Sequence, residues 1–170
     1  MQSYFDMLAR YHLWATEKIL HKIASVSEDD YRRDHGLFFR SLHGTLNHLL
    51  VADLHWYGRF TDAAPLTMAL DAEAKHDRTA LSVALRTAAG RWRDFLAGLQ
   101  PQRFDADLHY RTVAGVQTVT PFMGTLAHVF NHGTHHRGQL SAAMTGMGYA
   151  CPELDLIYML REEKQLESER

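Results

Sequence analysis

The segment HVFNHGTHHRGQ, His128 to Gln139, places four histidines within nine positions of a 170-residue chain that has twelve in all. Three of them, His128, His132 and His136, recur at every fourth residue. A helix advances about 100° per residue, so this spacing stacks them along one line. Such a line is either a set of solvated imidazoles or a row of nitrogen ligands. Side chains at i and i+4 lie about 5–6 Å apart at Cβ, close enough for two imidazoles to grip one ion. The His-Glu-x-x-His motif of metalloproteases uses the same geometry, but no Glu follows His132, so the segment does not supply its own general base.

On the helix containing this segment, Phe122, Leu126, Val129, Leu140, Met144 and Met147 define an apolar arc. His136 falls inside the arc and His132 on its shoulder, whereas His128 and His135 fall towards the rim. Gly133 faces the arc, where the missing side chain allows another helix close approach. Arg137 projects away from His132 and is not part of the same site by helical geometry alone. A metal site in a helical bundle draws further ligands from facing helices. The stretch LHGTLNHLLVADLHW offers His43, His48 and His55, among which periodicity does not choose. Asp53 in that stretch aligns with Leu42, Leu46, Leu49 and Phe60, where an unpaired carboxylate is costly. A buried acid bonded to Tyr, Arg or backbone is favoured there over a direct metal ligand.

The elements that must carry these side chains are helical. Ser3 to about Ile23 shows Tyr4, Leu8, Tyr11, Ala15 and Ile19 at three- and four-residue steps. A second helix is expected from about Ser41 to Tyr57, with Leu42, Leu46, Leu49 and Leu50 on one side. A third is expected from about Asp71, with an acidic first turn, to Leu99 before Pro101. The fourth follows Pro121 and runs to about Met147, and a short helix from about Pro152 to Gln165 closes the chain. Val- and Thr-rich HYRTVAGVQTVT, His109 to Thr120, alternates like a small β-hairpin or an extended loop. The four proline positions mark boundaries rather than interrupting these segments. The pattern predicts one all-α domain over residues 1–170, a four-helix bundle with a small β-hairpin before the last long helix.

Composition narrows the function classes. A content of 46% hydrophobic and 22% charged residues is that of an ordinary globular core. A formal charge of −2 with scattered Lys and Arg argues against nucleic acid as a partner. No apolar run approaches the roughly 20 residues of a membrane span, and the N-terminal residues lack the pattern of a secretory signal. Cys151 is the only cysteine, so an internal disulfide is impossible and a reducing, cytoplasmic setting is expected. Trp14, Trp56 and Trp92, with many Tyr and Phe, exceed what a slim bundle readily hides and suggest a homodimer.

LNHLLVADLHWYGRF in the second helix and LAHVFNHGTHHRGQL in the fourth resemble the two signatures of the DinB/YfiT-like metalloenzyme family, which is unrelated to the DNA polymerase sharing the DinB name. The hairpin before the second signature and MGYACPELDLIYML after it extend the resemblance over nearly the whole chain. It implies up-down-down-up connectivity, a dimer, and a divalent metal held by His48, His132 and His136. Thr16 stands where the family usually has Asn, so a polar role is not carried over there. Three imidazoles suit zinc or nickel and leave a position open. The resemblance thus implies a metal-dependent enzyme acting on a small molecule, by S-transfer involving a low-molecular-weight thiol or by hydrolysis. Asp53 could orient a ligand histidine and His128 could carry a proton at the rim. The alternatives are a stress-response or binding module with a structural metal, its fourth ligand His128 or Asp53, and a metal-free bundle with solvated histidines.

Overall fold

In a computed structural model, which describes residues 1–169, the long helices are α1 (Gln2–Ile23), α3 (Leu42–Phe60), α4 (Arg78–Ala97) and α5 (Phe122–Gly146). A short α2 (Glu28–Arg32) follows α1, and α6 (Leu156–Ser168) packs back on α1. A 3₁₀ turn at Pro101–Asp105 leads into the antiparallel hairpin β1 (Asp107–Arg111) and β2 (Gln117–Pro121), with Leu108 opposite Thr120 and Tyr110 opposite Thr118. Leu108 points into the core and is buried, which seats the hairpin against the bundle.

Packing partners fix the directions of the helices. Gln2 at the start of α1 donates to the Leu96 carbonyl at the end of α4, and Arg78 at the start of α4 donates to the Val26 carbonyl just beyond α1. Those two helices are antiparallel. Asp53 and Phe60 of α3 meet Trp92 and Phe95 of α4 in the same order, so this pair is parallel. Phe5 and His12 of α1 meet Phe130 and Arg137 of α5, again in parallel. Trp56 meets His128 and Phe60 meets Phe122, so α3 and α5 are antiparallel. The connectivity is up-down-down-up, with α1 and α3 on opposite corners.

Parallel neighbours need a long return. The 19-residue α3 is about 28 Å long, and residues 61–77 travel back along it before α4 begins. This strap explains why the third helix starts at Arg78 and not near Asp71. The Asn47 amide clasps Lys75, accepting from its N–H at 2.9 Å and donating to its carbonyl at 3.1 Å. Backbone groups spent on that clasp cannot join a helical ladder. Asp77 then caps α4 by accepting from the Ala80 N–H, as Ser41 caps α3 through the Gly44 N–H.

The inward line of α1 is Phe5, Ala9, His12, Thr16 and Ile19, all buried, whereas Tyr4 is 52% exposed and Leu8 only half-buried. Two apolar clusters fill the bundle. One joins Ile19, Leu46, Leu50, Leu85 and Leu140, and the other joins Phe5, Phe60, Trp92, Phe122 and Phe130. Eight of the 18 Phe, Trp and Tyr side chains, Trp92 among them, are buried, whereas Trp14 and Trp56 are only half-buried. Burial inside one chain thus accounts for part of the aromatic content that suggested association.

Candidate metal centre

Midway along the bundle, where α3 and α5 face each other, His48, His132 and His136 turn their Nε2 atoms towards a common point. His48 Nε2 and His136 Nε2 each lie 3.1 Å from His132 Nε2, and one ring nitrogen from each of the three residues falls within 4.8 Å of the other two. Among the described residues this is the only such group of His, Cys, Asp and Glu side chains. Antiparallel packing brings it about, because a single position on α3 meets two positions one turn apart on α5.

The other ring nitrogens explain why Nε2 is the one presented. His48 Nδ1 is 2.8 Å from the Leu70 carbonyl, which can only accept, so the proton of the neutral ring sits on Nδ1. His136 Nδ1 donates in the same way to Gln139 Oε1 at 2.7 Å. Both rings therefore offer a lone pair on Nε2. One hydrogen on His132 Nε2 could serve only one of the two neighbours, and the other contact would set two lone pairs face to face. A shared cation removes that conflict. Bonds of about 2.0–2.1 Å to a tetrahedral ion hold its nitrogen ligands about 3.3 Å apart, close to the separation seen here.

Electrostatics point the same way. Burial holds His132 far below the usual imidazole range, at about 3, helped by the neighbouring His136, His48, His128 and His135. Burial lowers His136 to about 4, partly offset by its bond to Gln139. His48 is lowered by burial, offset in part by the Leu70 carbonyl. The rings are neutral at pH 7, the state a metal requires.

The surroundings sort the remaining candidates. Phe39 stacks on His48 with ring centroids 3.7 Å apart and leans on His136, closing one side of the cluster. His43 and His55 face the strap, His43 contacting Glu73 and His55 donating to the Met68 carbonyl. His128 lies at the rim between Trp56 and His132, with centroids 5.3 and 5.5 Å away. Its pKa is lowered by burial and then by the charge of Arg59. His135 packs beside His136 on the outer side.

Asp53 does not touch any of the three clustered histidines. Its Oδ1 accepts from the Trp92 indole N–H, and its Oδ2 lies 3.5 Å from His12 Nε2. His12 Nδ1 in turn accepts from Arg137 at 3.2 Å. The line Arg137–His12–Asp53–Trp92 takes one side chain from each long helix, with the His12 ring between a guanidinium and a carboxylate. Gly133 makes room for it, since a Cβ there would lie 2.8 Å from the His12 ring. Thr16 spends its hydroxyl on the His12 carbonyl.

Helical period placed His136 and His132 on the inner side of α5, and the structure shows them together there with His48. Arg137 is separate from the cluster, as its direction implied, yet it is only 2% exposed because it lies beside Gly133 on the inner arc. His12 was missed by the sequence reading, which followed Tyr4, Leu8, Tyr11, Ala15 and Ile19; the parallel spacing Phe5, Ala9, His12, Thr16, Ile19 carried the signal. Phe39 and the Leu70 carbonyl left no signal in the sequence, since both reach the site from irregular segments.

Comparison with known proteins follows the same outline. The sequence profile described as the DinB family matches residues 1–168. Protein DinB of Bacillus subtilis (strain 168) is 28% identical over 174 residues, covering 96% of this chain and 99% of that protein. Among solved structures, the fold is similar to that of YfiT from Bacillus subtilis, with a TM-score of 0.69 at 16% identity over 88% of this chain and 91% of that one. YfiT is described as a "probable metal-dependent hydrolase with an unusual four-helix bundle topology".

Proposed function

The chain belongs to the DinB family, and from that premise we propose that it is a metal-dependent enzyme acting on a small molecule, with His48, His132 and His136 as the metal ligands. The observation that carries this reading is the convergence of three Nε2 atoms, with the outer nitrogens of His48 and His136 already spent on fixed acceptors. Zinc or nickel suits a set of neutral imidazoles. A divalent ion held by three ligands has an open position, at which it acts as a Lewis acid and lowers the pKa of water or of a thiol. Hydrolysis and thiol S-transfer are the two reactions that chemistry serves, and the description of YfiT as a hydrolase favours the first.

The protein's own groups have separable tasks in this reading. Leu70 and Gln139 hold two ligand rings in the required tautomer and orientation. Phe39 keeps water from one side. His128, neutral at pH 7 and next to His132, is placed to take up a proton at the rim. Asp53 is committed to Trp92 and His12, and His128 stands outside the group of converging nitrogens, so neither completes a closed four-ligand site, which speaks against a purely structural metal. A homodimeric, cytoplasmic protein belongs to the same reading, and a monomeric mass by light scattering at micromolar concentration would remove the dimer.

Elemental analysis of untagged protein tests the proposal. About one divalent ion per chain is expected in the wild type, and a loss of more than about 100-fold in affinity in His136→Ala, beyond the range of about 10–100-fold usual for removing an outer partner of a ligand. Equal metal content in the two proteins would overturn the site. Turnover that depends on the added metal, in a screen of esters, amides and thiol–electrophile pairs, then separates an enzyme from a binding module.

A further inference from the structure

One cation near the histidine cluster has no counter-ion. Arg59, in the last turn of α3, is half-buried, and burial lowers its pKa below the usual guanidinium value. Among the described residues it makes neither a salt bridge within 4.0 Å nor a side-chain hydrogen bond. Its guanidinium carbon instead lies 4.4 Å from the Trp56 ring centre and 4.9 Å from that of Tyr110. These contacts compensate part of the lost hydration. They leave the N–H donors unmatched, and those donors are not sealed away as are the unpartnered Nε atoms of Arg91 and Arg137.

The position of Arg59 relative to the cluster is specific. Trp56 touches Arg59 on one side and His128 on the other, and His128 touches His132. An open groove lined by Trp56, Tyr110, Pro121, Gly124 and His128 runs along these rings. Behind it, between the end of α3, the start of the strap and β1, Arg59 lines a recess of about 90 Å³ with His55, His109 and Arg111. The one acid on that lining is Asp62.

We propose that Arg59 anchors a carboxylate of the substrate, whose apolar body lies on Trp56 and Tyr110 and whose reacting group reaches the histidine cluster. A planar guanidinium with its donors free matches a carboxylate in a two-point contact. Arg111 on the same recess faces the Gln117 amide oxygen, and among the described residues Arg59 is the only cation stacked on Trp56 and Tyr110, so a monoanion balances the charge held against those rings. A phosphate dianion would leave charge uncompensated beside two aromatic rings. This inference rests on the histidine cluster being the reaction centre, but its test is independent of metal.

The experiment is equilibrium binding to the full chain, followed by Trp fluorescence or calorimetry, with benzoate, the neutral isostere benzamide, and inorganic phosphate. Each is measured with metal loaded and again after chelation, so that direct coordination of benzoate is separated from the anchor. Benzoate is expected to bind at least about tenfold more tightly than benzamide or phosphate, and to keep that preference in chelated wild type and in His136→Ala. Arg59→Met should lose at least about tenfold in benzoate affinity, as expected for hydrogen bonds to a charged group, with metal content unchanged. Arg59→Lys should recover part of it, which a folding defect would not. Unchanged benzoate binding in Arg59→Met, benzamide binding as tightly as benzoate, or phosphate binding more tightly than either would each overturn the anchor. Arg59-dependent binding in a protein that never takes up metal would support the anchor while removing the metal reading.

Discussion

Two polar clusters built around histidine lie within the same bundle, and they are wired in opposite ways. At its centre, His12 has a donor against one ring nitrogen and an acceptor near the other, so Arg137, His12, Asp53 and Trp92 form a line in which each polar contact is complementary. At the α3–α5 face, three rings turn the same kind of atom, Nε2, towards one point. The first arrangement pairs donor with acceptor along its length without a ligand, leaving only the Arg137 Nε–H unmatched. The second is complementary only to a cation. Residue type and burial do not separate them, because His12 and His48 are 6% and 5% exposed. The pairing of each ring's second nitrogen does.

Breaking the central line should have the largest effect. Asp53→Ala leaves Arg137 buried without its carboxylate and the Trp92 N–H without an acceptor. Removing one partner of a buried charge pair costs about 3–5 kcal/mol, so urea denaturation should show a loss of that order. A loss below about 1 kcal/mol would mean that the line is not what holds the four helices in register. Gly133→Ala probes the same line from the other side. Its Cβ would press on the His12 ring and on Arg137, and overpacking of this kind costs about 1–3 kcal/mol in the same measurement.

At the α3–α5 face the expected effects move from stability to affinity. Gln139→Ala frees the Nδ1–H of His136 while leaving its Nε2 in place. Loss of such an outer partner weakens metal binding by about 10–100-fold. A competition titration against a chromophoric chelator reads this directly, and the metal-free melting temperature should stay at the wild-type value. A variant that melts lower but binds metal as well as the wild type would place Gln139 with the structural cluster instead.

A further test is the pH dependence of the metal-free protein. Free imidazole titrates near about 6.5, whereas His136 and His132 are held at about 4 and about 3 when folded. Between those values the unfolded chain binds more protons than the folded one, so stability rises with pH. The contribution is fully present above about pH 6.5 and is lost as pH falls towards 4 and then 3. The double substitution His132→Gln with His136→Gln should flatten the slope of stability between pH 6.5 and 4. An unchanged slope would show that other groups dominate acid sensitivity. With metal loaded the wild-type slope should steepen, since protons then also compete with the ion.

Much of this molecule can be read from spacing alone. The four-residue rhythm of His132 and His136 inside an arc of Phe, Leu and Met is a one-dimensional property of a helix, and it placed both rings on the inner side of α5. Leu42, Leu46, Leu49 and Leu50 marked the buried side of α3 in the same way, and all four are buried. The Val- and Thr-rich alternation before Pro121 marked the hairpin. Asp53 could be recognised as a buried acid in need of a partner, though not which partner.

The rest was decided by how helices face one another. Three histidines on α3 were equivalent by period, and the resemblance to a family, not the period, singled out His48. In the structure the strap binds His43 and His55 through Glu73 and the Met68 carbonyl, leaving the Nε2 of His48 to meet α5. That strap is itself a consequence of two parallel neighbours, which oblige residues 61–77 to travel the length of α3 instead of forming the first turns of the next helix. Where a ring nitrogen finds its hydrogen-bond partner depends on segments 22 residues away in the chain for His48 and 125 away for His12. Local sequence determines which side of a helix is buried. Tertiary packing decides what each buried side chain meets, and therefore whether a histidine is a structural link or a ligand.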